Sequence, residues 1–332
     1  MTRIAVNGFG RIGRNVLRAI IERDTDLEVV AINDLTEPAT LAHLLRYDSS
    51  LGRFGRSVEI DGDSLVVDGH RIRVLAERDP ADLPWAELDV ELVVESTGRF
   101  TSAEGAGAHL KAGAKRVLVS APATGADVTI AYGVNTEAYD PELHTIVSNA
   151  SCTTNALAPL ASVLDELAGI EHGFMTTVHA YTQEQNLQDG PHRDLRRARA
   201  AGVNIVPTTT GAAKAIGLVL PQLEGKLSGD SIRVPVPVGS IVELNTTVSR
   251  DVTLEQVLDA YRTAAAGALD GILEYTEDPI VSSDITGRPA SAIFDAALTR
   301  VEGRHIKVVA WYDNEWGFSN RVVDTLTLLA AK

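Results

Sequence analysis

The sequence predicts an α/β domain built on a parallel sheet, followed by an α+β domain whose sheet is mostly antiparallel. Three observations carry that prediction. The chain opens with a buried-strand run, a glycine-rich turn and an amphipathic stretch in direct succession, the order of a βαβ unit. Strand-like runs at residues 92–98 and 116–120 then bracket a helical segment, continuing the alternation that parallel sheets need. From residue 170 onward, long strands dominate and helices are few, which suits a sheet carrying helices on one face. A length of 332 residues accommodates two domains, and 45% hydrophobic residues suffice for two cores.

Taken in order, Arg3-Ile4-Ala5-Val6-Asn7 reads as a strand, and Val16, Leu17, Ile20 and Ile21 as one face of a helix. Between them, Gly8-Phe9-Gly10-Arg11-Ile12-Gly13 fits G-x-G-x-x-G. Glycine there permits the tight turn, lets backbone approach a pyrophosphate, and brings helix close to strand. The second strand, Leu27–Asn33, runs into Asp34, 21 positions beyond Gly13, where a ribose-binding carboxylate is expected. The glycines alone would be an ordinary turn. Strand, turn, helix and acid together make a Rossmann-type dinucleotide-binding signature. A carboxylate accepts hydrogen bonds from a ribose 2′-hydroxyl and repels a 2′-phosphate, so Asp34 favours NAD over NADP.

Residues 54–75 read as an antiparallel excursion. Val58-Glu59-Ile60 and Leu65-Val66-Val67 flank Asp61-Gly62-Asp63, and Asp68-Gly69-His70 turns into Arg71–Leu75. Ala103–Leu110 is helical. Ligands of open parallel sheets bind beyond the carboxyl ends of strands, which places Thr97, Gly98 and Ser120 along a cofactor. Thr129–Tyr132 and Thr145–Ser148 complete a first domain of residues 1–150.

The second domain opens at the only cysteine in the chain. Ser148-Asn149-Ala150-Ser151-Cys152-Thr153-Thr154-Asn155 lies between a strand-like run and apolar residues at helical spacing: Leu157, Leu160, Val163, Leu164 and Leu167. Small hydroxyl and amide residues at such a junction start helices. Cys152 then falls in a first turn, where unpaired N–H groups and the positive dipole end favour a thiolate. Pro159 falls inside this helix and predicts a kink. A lone cysteine is by default a small buried hydrophobe, but Ser, Thr, Thr and Asn neighbours argue for a nucleophile. A nucleophile at the sheet edge that holds a dinucleotide points to covalent chemistry coupled to hydride transfer.

Of eight histidines, His179 stands out as partner for Cys152. It lies near the end of the alternating run Phe174–Ala180 and precedes a polar loop. His192, between Pro and Arg, suits a neutral base less. The other strand candidates are Ile232–Val238, Ile241–Val248 and Ile306–Trp311, with Pro235 and Pro237 confining the first to an edge or to its boundaries. Helices are expected at Thr210–Leu220 and Leu254–Leu269, with a closing helix over Asn320–Ala331. Residues 192–199 form a basic cluster in an otherwise acidic chain. Arg197, Arg233 and Thr208-Thr209-Thr210-Gly211 are equipped to bind phosphate by charge-assisted hydrogen bonds.

Composition narrows the function further. A net charge of −15 argues against nucleic acid or an anionic membrane as main partner. One cysteine excludes an internal disulfide and a cysteine-cluster zinc site, and no metal site is expected. No apolar run is long enough to span a bilayer as a helix. Met1-Thr2-Arg3 leads straight into a strand without a signal-peptide pattern, so the expected location is cytoplasmic.

From Val6–Arg14 to Trp311–Gly317 the sequence resembles the phosphorylating glyceraldehyde-3-phosphate dehydrogenases. The stretch Ala150-Ser151-Cys152-Thr153-Thr154-Asn155 is specific to that family and its close relatives. The resemblance implies oxidation of glyceraldehyde 3-phosphate to 1,3-bisphosphoglycerate with NAD and inorganic phosphate, through a cysteine thiohemiacetal and thioester. It implies Cys152 as nucleophile and His179 as its base. Gly8, Gly10, Arg11, Ile12, Gly13, Asp34, Arg78 and Ser120 would surround NAD, with Asn314 on the nicotinamide amide. Thr182 and Arg233 would grip the phosphate of the aldehyde substrate. Ser151, Thr153, Thr210 and Gly211 would hold the incoming inorganic phosphate, with Arg197 nearby. A homotetramer is implied, with the loop Tyr181–Asn204 between subunits. The expected division is a dinucleotide-binding domain of residues 1–150, completed by a C-terminal helix over 315–332, and a catalytic domain of residues 151–314.

The chain departs from the commonest family pattern at several points: Gln183-Glu184 after Tyr181-Thr182, Ala156 where a second cysteine is frequent, Val236, Val238, Phe318, and Gly190 in the loop near the adenosine ribose. None removes a group named above. Erythrose-4-phosphate dehydrogenase is the nearest alternative, but Tyr181-Thr182 and Thr208–Lys214 resemble the glyceraldehyde-3-phosphate enzymes. Retention of Cys152, His179, Thr182 and Arg233 together speaks against a non-catalytic NAD-binding paralogue.

Overall fold

Residues 1–331 are described by a computed structural model, in which the chain forms two compact units. The first comprises Met1–Ile130, Thr136–Ala150 and the chain from Ser319 on; the second comprises Ala131–Asn135 and Ser151–Phe318.

The first unit is a nine-stranded sheet in the spatial order Val128–Thr129, Ile146–Ser148, Arg116–Val119, Leu92–Glu95, Thr2–Asn7, Leu27–Asn33, His70–Leu75, Ser64–Val67, Val58–Asp61. The strands up to His70–Leu75 are all parallel. Ala5, Val93, Val117 and Ile146 pack with Trp85 into one core, which explains why these strands read as continuous apolar runs. The last two strands return antiparallel, as the excursion over residues 54–75 predicts. Asp68 (φ 48°) and Gly69 (φ 84°) both adopt positive φ, as the tight turn of a type I′ hairpin requires.

Two elements of this unit differ from expectation. The strand expected over Thr129–Tyr132 shrinks to Val128–Thr129, and Ala131 lies in the second unit, where its N–H donates to Asn135 Oδ1 (2.8 Å). The helix Pro38–Arg46 escapes the sequence pattern because its buried Leu41, Ala42 and Leu45 span too few turns to establish a period. The closing helix is Trp316–Ala330, four residues ahead of its apolar pattern; Lys332, counted in the expected helix, lies outside the described residues. Within the first unit Arg23 pairs with Asp324, Arg23 Nη1 donates to Asn320 O (3.1 Å), and Thr325 Oγ1 donates to Asn149 Oδ1 (2.8 Å).

The second unit is a mostly antiparallel sheet in the order Val206–Thr209, Leu227–Val234, Ile170–Ala180, Ser240–Val248, His305–Tyr312, Ala292–Asp295, Leu273–Thr276, with Arg300–Glu302 beside His305–Tyr312. Only two pairings are parallel. Met175, Val242, Leu244, Val308 and Ala310 share a core with Leu157, Leu160 and Leu164 of the helix Cys152–Ala168. That helix runs through Pro159 to Ala168, and Ala212–Val219 and Leu254–Ala265 flank it.

The strand expected at Ile232–Val238 instead spans Leu227–Val234 and stops before Pro235. Proline bounds it, as expected, yet the strand is interior. Its first half is hidden in the sequence by Ser228-Gly229-Asp230. Gly229 is there for closeness: a Cβ would lie 2.2 Å from Met175 O on the neighbouring strand. Among the described residues, no helix is long and apolar enough to cross a membrane.

Candidate active site

Ser151 caps the helix Cys152–Ala168: its Oγ accepts from Thr154 N (3.0 Å). Ala150, just before it, holds a left-handed φ of 56°. That conformation is costly for a residue with a side chain, and it turns the chain sharply into the helix. Cys152 is thus the first helical residue, half-buried.

His179, next to last in the strand Ile170–Ala180, reaches the cysteine: Cys152 Sγ and His179 Nε2 are 3.4 Å apart. His179 is 3% exposed. Its Nδ1–H donates to Ala180 O (2.7 Å), which leaves the Nε2 lone pair facing the thiol. Arg233 Nη1 donates to Ala180 O at 3.1 Å and lies 2.7 Å from the same Nδ1, a meeting of two donors that is not a hydrogen bond and disfavours a charged imidazole. Burial first, then the Arg233 charge, push His179 down to about 3. Burial pushes the Cys152 thiol up, with Arg233 pulling the other way. The thiolate expected from the helix start alone therefore meets opposition from desolvation. Each partner resists charge singly. A proton passing from Sγ to Nε2 creates both charges together, where they attract.

Tyr312 underlies this pair. Its ring meets His179 edge-on (5.9 Å, 76°), and its hydroxyl bridges Thr153 Oγ1 (2.9 Å) and Thr177 Oγ1 (2.8 Å). Thr177 Oγ1 in turn donates to Ile241 O (3.2 Å). Neither Tyr312 nor Thr177 is a site candidate in the sequence; buried hydroxyls on alternating strands carry no local signal.

Two buried polar atoms of the predicted phosphate ligands have no hydrogen-bond partner: Arg233 Nε and Thr182 Oγ1. Such a group costs about 1–3 kcal/mol when left unsatisfied. Arg197 is differently placed. Glu184 and Asp194 both pair with it, and its Nε donates to Thr208 Oγ1 (2.9 Å). Glu184 is one of the departures noted above, and its pairing with Arg197 was not legible in the sequence. Thr210 Oγ1 accepts from Ala212 N (3.2 Å), and Gly211 caps the helix Ala212–Val219. Asn314 Oδ1 accepts from Gly239 N (3.1 Å) and Ser240 Oγ (3.0 Å), so its amide NH₂ is the end left to donate.

In the first unit, the turn Gly8–Gly10 joins the strand Thr2–Asn7 to the helix Arg11–Glu22. Gly8 has φ 91°, and a Cβ there would lie 2.6 Å from Thr97 N; above Gly10 there is open space. Gly10 caps the helix with no side-chain hydrogen bond, so no cap side chain occupies the first N–H groups, as an anion site needs. Asp34 Oδ2 accepts from Phe9 N (2.8 Å) and Oδ1 from Thr36 N (2.9 Å). Its carboxylate is thereby locked to the turn. Arg11 pairs with Asp48 (2.5 Å), Ile12 is half-buried, Gly13 is buried, and Arg78 is exposed. Ser120 Oγ donates to Glu95 O (3.1 Å). These features fit a dinucleotide: a backbone cradle, an anion-binding helix start and an adjacent acid. Among the described residues, no cluster of three side chains is arranged to hold a metal ion.

A Rossmann-type unit with this turn, and a second unit with a cysteine–histidine pair, define a dinucleotide-dependent dehydrogenase with a thiol at its centre. Comparison with known proteins narrows the class. Residues 2–103 match the family model for the glyceraldehyde 3-phosphate dehydrogenase NAD binding domain, and residues 151–314 that for its C-terminal domain. The chain is 81% identical over 332 residues to the glyceraldehyde-3-phosphate dehydrogenase of Kitasatospora aureofaciens, covering all of both chains. It is 62% identical over 327 residues to glyceraldehyde-3-phosphate dehydrogenase 1 of Streptomyces avermitilis, covering 98% of each. With the enzyme of Mycobacterium bovis it shares 58% over 333 residues, again 98% of each. The chain belongs to the glyceraldehyde-3-phosphate dehydrogenase family.

Proposed function

We propose that the protein oxidises glyceraldehyde 3-phosphate with NAD and inorganic phosphate to give 1,3-bisphosphoglycerate. The observation that carries this reading is the 3.4 Å Cys152–His179 pair with Arg233 beside it. Sγ adds to the aldehyde carbon, and the carbonyl oxygen becomes the hydroxyl of a thiohemiacetal. NAD, when bound, supplies the hydride acceptor. His179 takes the hydroxyl proton at Nε2, and the re-formed carbonyl is a thioester on Cys152. The Cys152 backbone N–H stabilises the oxyanion. A phosphate oxygen then attacks the thioester carbon, the C–S bond breaks, and the acyl phosphate leaves.

Arg233 and Thr182 are assigned to the substrate phosphate, supported by their unpartnered buried atoms. Ser151, Thr153, Thr210 and Gly211 are assigned to inorganic phosphate, with Arg197 as a neighbour already engaged by two carboxylates. Gly8, Gly10, Arg11, Ile12, Gly13, Asp34, Arg78 and Ser120 are assigned to NAD, and Asn314 to the nicotinamide amide through its NH₂. Asp34 favours NAD over NADP. The domains on this reading are 1–150 with the closing helix, and 151–314.

A homotetramer is part of the proposal. Phe174 on the sheet and Leu187, Leu195, Val203 and Ile205 near the loop Tyr181–Asn204 are all more than 60% exposed, and large apolar side chains in such number call for a cover. A cytoplasmic location completes it, in keeping with one unpaired cysteine.

The test follows NADH absorbance with glyceraldehyde 3-phosphate and NAD, with and without phosphate, in wild type and Cys152→Ser. Multiple turnovers that require phosphate and fall by roughly four orders of magnitude or more in the variant are expected. Turnover indifferent to phosphate would overturn the acyl-phosphate step.

A further inference from the structure

Beneath the Gly8–Gly10 turn lies a buried polar cluster that the chemistry above does not use. Asn7, Asn33, Trp85, Glu95 and His109 are each 5% exposed or less. Asn7 and Asn33 end adjacent parallel strands in register, and Glu95 ends the next one on the other side of Asn7. One carboxylate joins most of them. Glu95 Oε2 accepts from Asn7 Nδ2 (2.5 Å) and faces His109 Nε2 at 3.0 Å. Glu95 Oε1 accepts from Thr97 N (2.8 Å) and from Thr97 Oγ1. Asn33 Nδ2 donates to Asn7 Oδ1 (2.7 Å), and Asn33 closes on Glu77 through both N–H (2.8 Å) and C=O (2.9 Å).

Trp85 fixes the tautomer of His109. Its Nε1–H can only donate, and it donates to His109 Nδ1 (3.0 Å). His109 therefore accepts at Nδ1 and carries its proton on Nε2, pointed at Glu95. All four acceptor positions of the carboxylate are then filled: one by a strand end (Asn7), two by a turn (Thr97) and one by a helix (His109).

We infer that Glu95 is a positioning residue for the cofactor-binding turn, with His109 as its donor and Trp85 setting the tautomer of His109. The mechanical link is short. Glu95 fixes Thr97, and Thr97 N is the atom that a Cβ on Gly8 would strike at 2.6 Å. Ser96 Oγ, between them, donates to Gly8 O (2.7 Å). The turn rests on the very segment that Glu95 holds. A buried charge has no advantage over an apolar core for stability alone; four directed bonds at one sheet edge set geometry. This inference rests on the reading that the turn holds NAD.

The experiment measures NAD affinity by calorimetry in wild type, Glu95→Gln and Glu95→Gln/Trp85→Phe, alongside kcat at saturating NAD. In Glu95→Gln, an amide that keeps its oxygen on Thr97 N turns its new NH₂ toward two donors, Asn7 Nδ2 and His109 Nε2. His109 cannot offer a lone pair at Nε2 while Trp85 holds Nδ1. NAD affinity falls about tenfold, with kcat changed far less. Removing the Trp85 N–H frees His109 to move its proton to Nδ1 and accept at Nε2, so the double variant recovers part of the loss. A purely structural role predicts the double variant to be worse. NMR of wild-type His109 is expected to find the proton on Nε2 and the Thr97 amide to shift on NAD addition. A proton on Nδ1, or a Thr97 amide indifferent to NAD, overturns the inference even if Glu95→Gln does not fold. Wild type that binds no NAD sinks the reading of the turn and the inference with it; wild-type binding with an indifferent Glu95→Gln sinks the inference alone.

Discussion

The carboxyl edge of the parallel sheet and the end of the strand that carries His179 solve opposite problems with similar residues. At the first, buried Asn7, Asn33, Glu95 and His109 satisfy one another. At the second, Arg233 Nε and Thr182 Oγ1 are buried without partners. A site that binds its ligand through backbone needs side chains underneath to fix that backbone, and every side-chain bond can be spent internally. A site that recognises a phosphate through side chains must hold donors in reserve, at a cost to the ligand-free fold. In these two regions, internal satisfaction goes with the supporting scaffold and unpaired buried donors with the expected phosphate ligands.

The sharpest way to break this comparison is to damage one region and read both. His179→Asn removes the base and should lower kcat by about two to four orders of magnitude, with NAD affinity unchanged by calorimetry. The same variant has a stability signature. His179 sits at about 3 in the fold against an ordinary value of 6.5, so between those values the unfolded chain binds the extra proton. Wild-type stability should be full above about pH 6.5 and decline as pH falls toward 3, with a shallower decline in His179→Asn, read by urea unfolding across that range. A loss of NAD binding in this variant would mean that the two functions are not separable.

Gly8→Ala is the reciprocal experiment. The added methyl meets Thr97 N at 2.6 Å in a backbone of φ 91°, so strain and collision act together. NAD affinity should fall about a hundredfold, while alkylation of Cys152 by a small thiol reagent keeps its rate. Unaltered NAD affinity would refute the backbone-cradle account of the first unit.

How far the sequence anticipates this contrast follows from which interactions are local. The turn was legible because strand, glycines, helix and Asp34 fall within 34 residues and each answers a backbone demand. The helix start at Cys152 was legible from its hydroxyl-rich cap, and His179 from an alternating strand that ends at a polar loop. Glu95, His109 and Trp85 were not, because their bonds join a strand end, a helix and a loop, and no period or spacing encodes that. Tyr312 under Cys152, and Glu184 on Arg197, were hidden for the same reason. The strand Leu227–Val234 was half hidden because Ser228-Gly229-Asp230 answers a close approach to Met175 and not a strand propensity.

Arg233→Leu tests the reserve of donors directly. It removes a half-buried cation that stands beside His179 and has one buried, unpartnered N–H. KM for glyceraldehyde 3-phosphate should rise by about ten- to a hundredfold, the worth of a charge-assisted hydrogen bond, while the KM for NAD stays put. The Arg233 charge is the second cause of the low His179 value, so its removal should also move the acid side of the wild-type stability decline upward in pH. A rise in the two KM values together would show that Arg233 organises the unit and is not a dedicated phosphate ligand.

The smallest effect is expected where the second unit behaves like the first. The Tyr312 hydroxyl is fully engaged between Thr153 and Thr177, and Thr177 passes its own proton to Ile241 O. By the rule of internal satisfaction it is scaffold, although it lies under the reacting pair. Tyr312→Phe keeps the ring edge against His179 and deletes only the oxygen. Thr177 retains its carbonyl acceptor and Thr153 its hydrogen bond with the Cys152 thiol, so the cost is about 1 kcal/mol of unfolding free energy in urea. Activity should fall only a few-fold, through looser seating of His179 and Thr153. A loss as large as that of His179→Asn would mean that the hydroxyl chain moves protons during turnover, and the division between satisfied scaffold and reserved donors would fail at the point where it matters most.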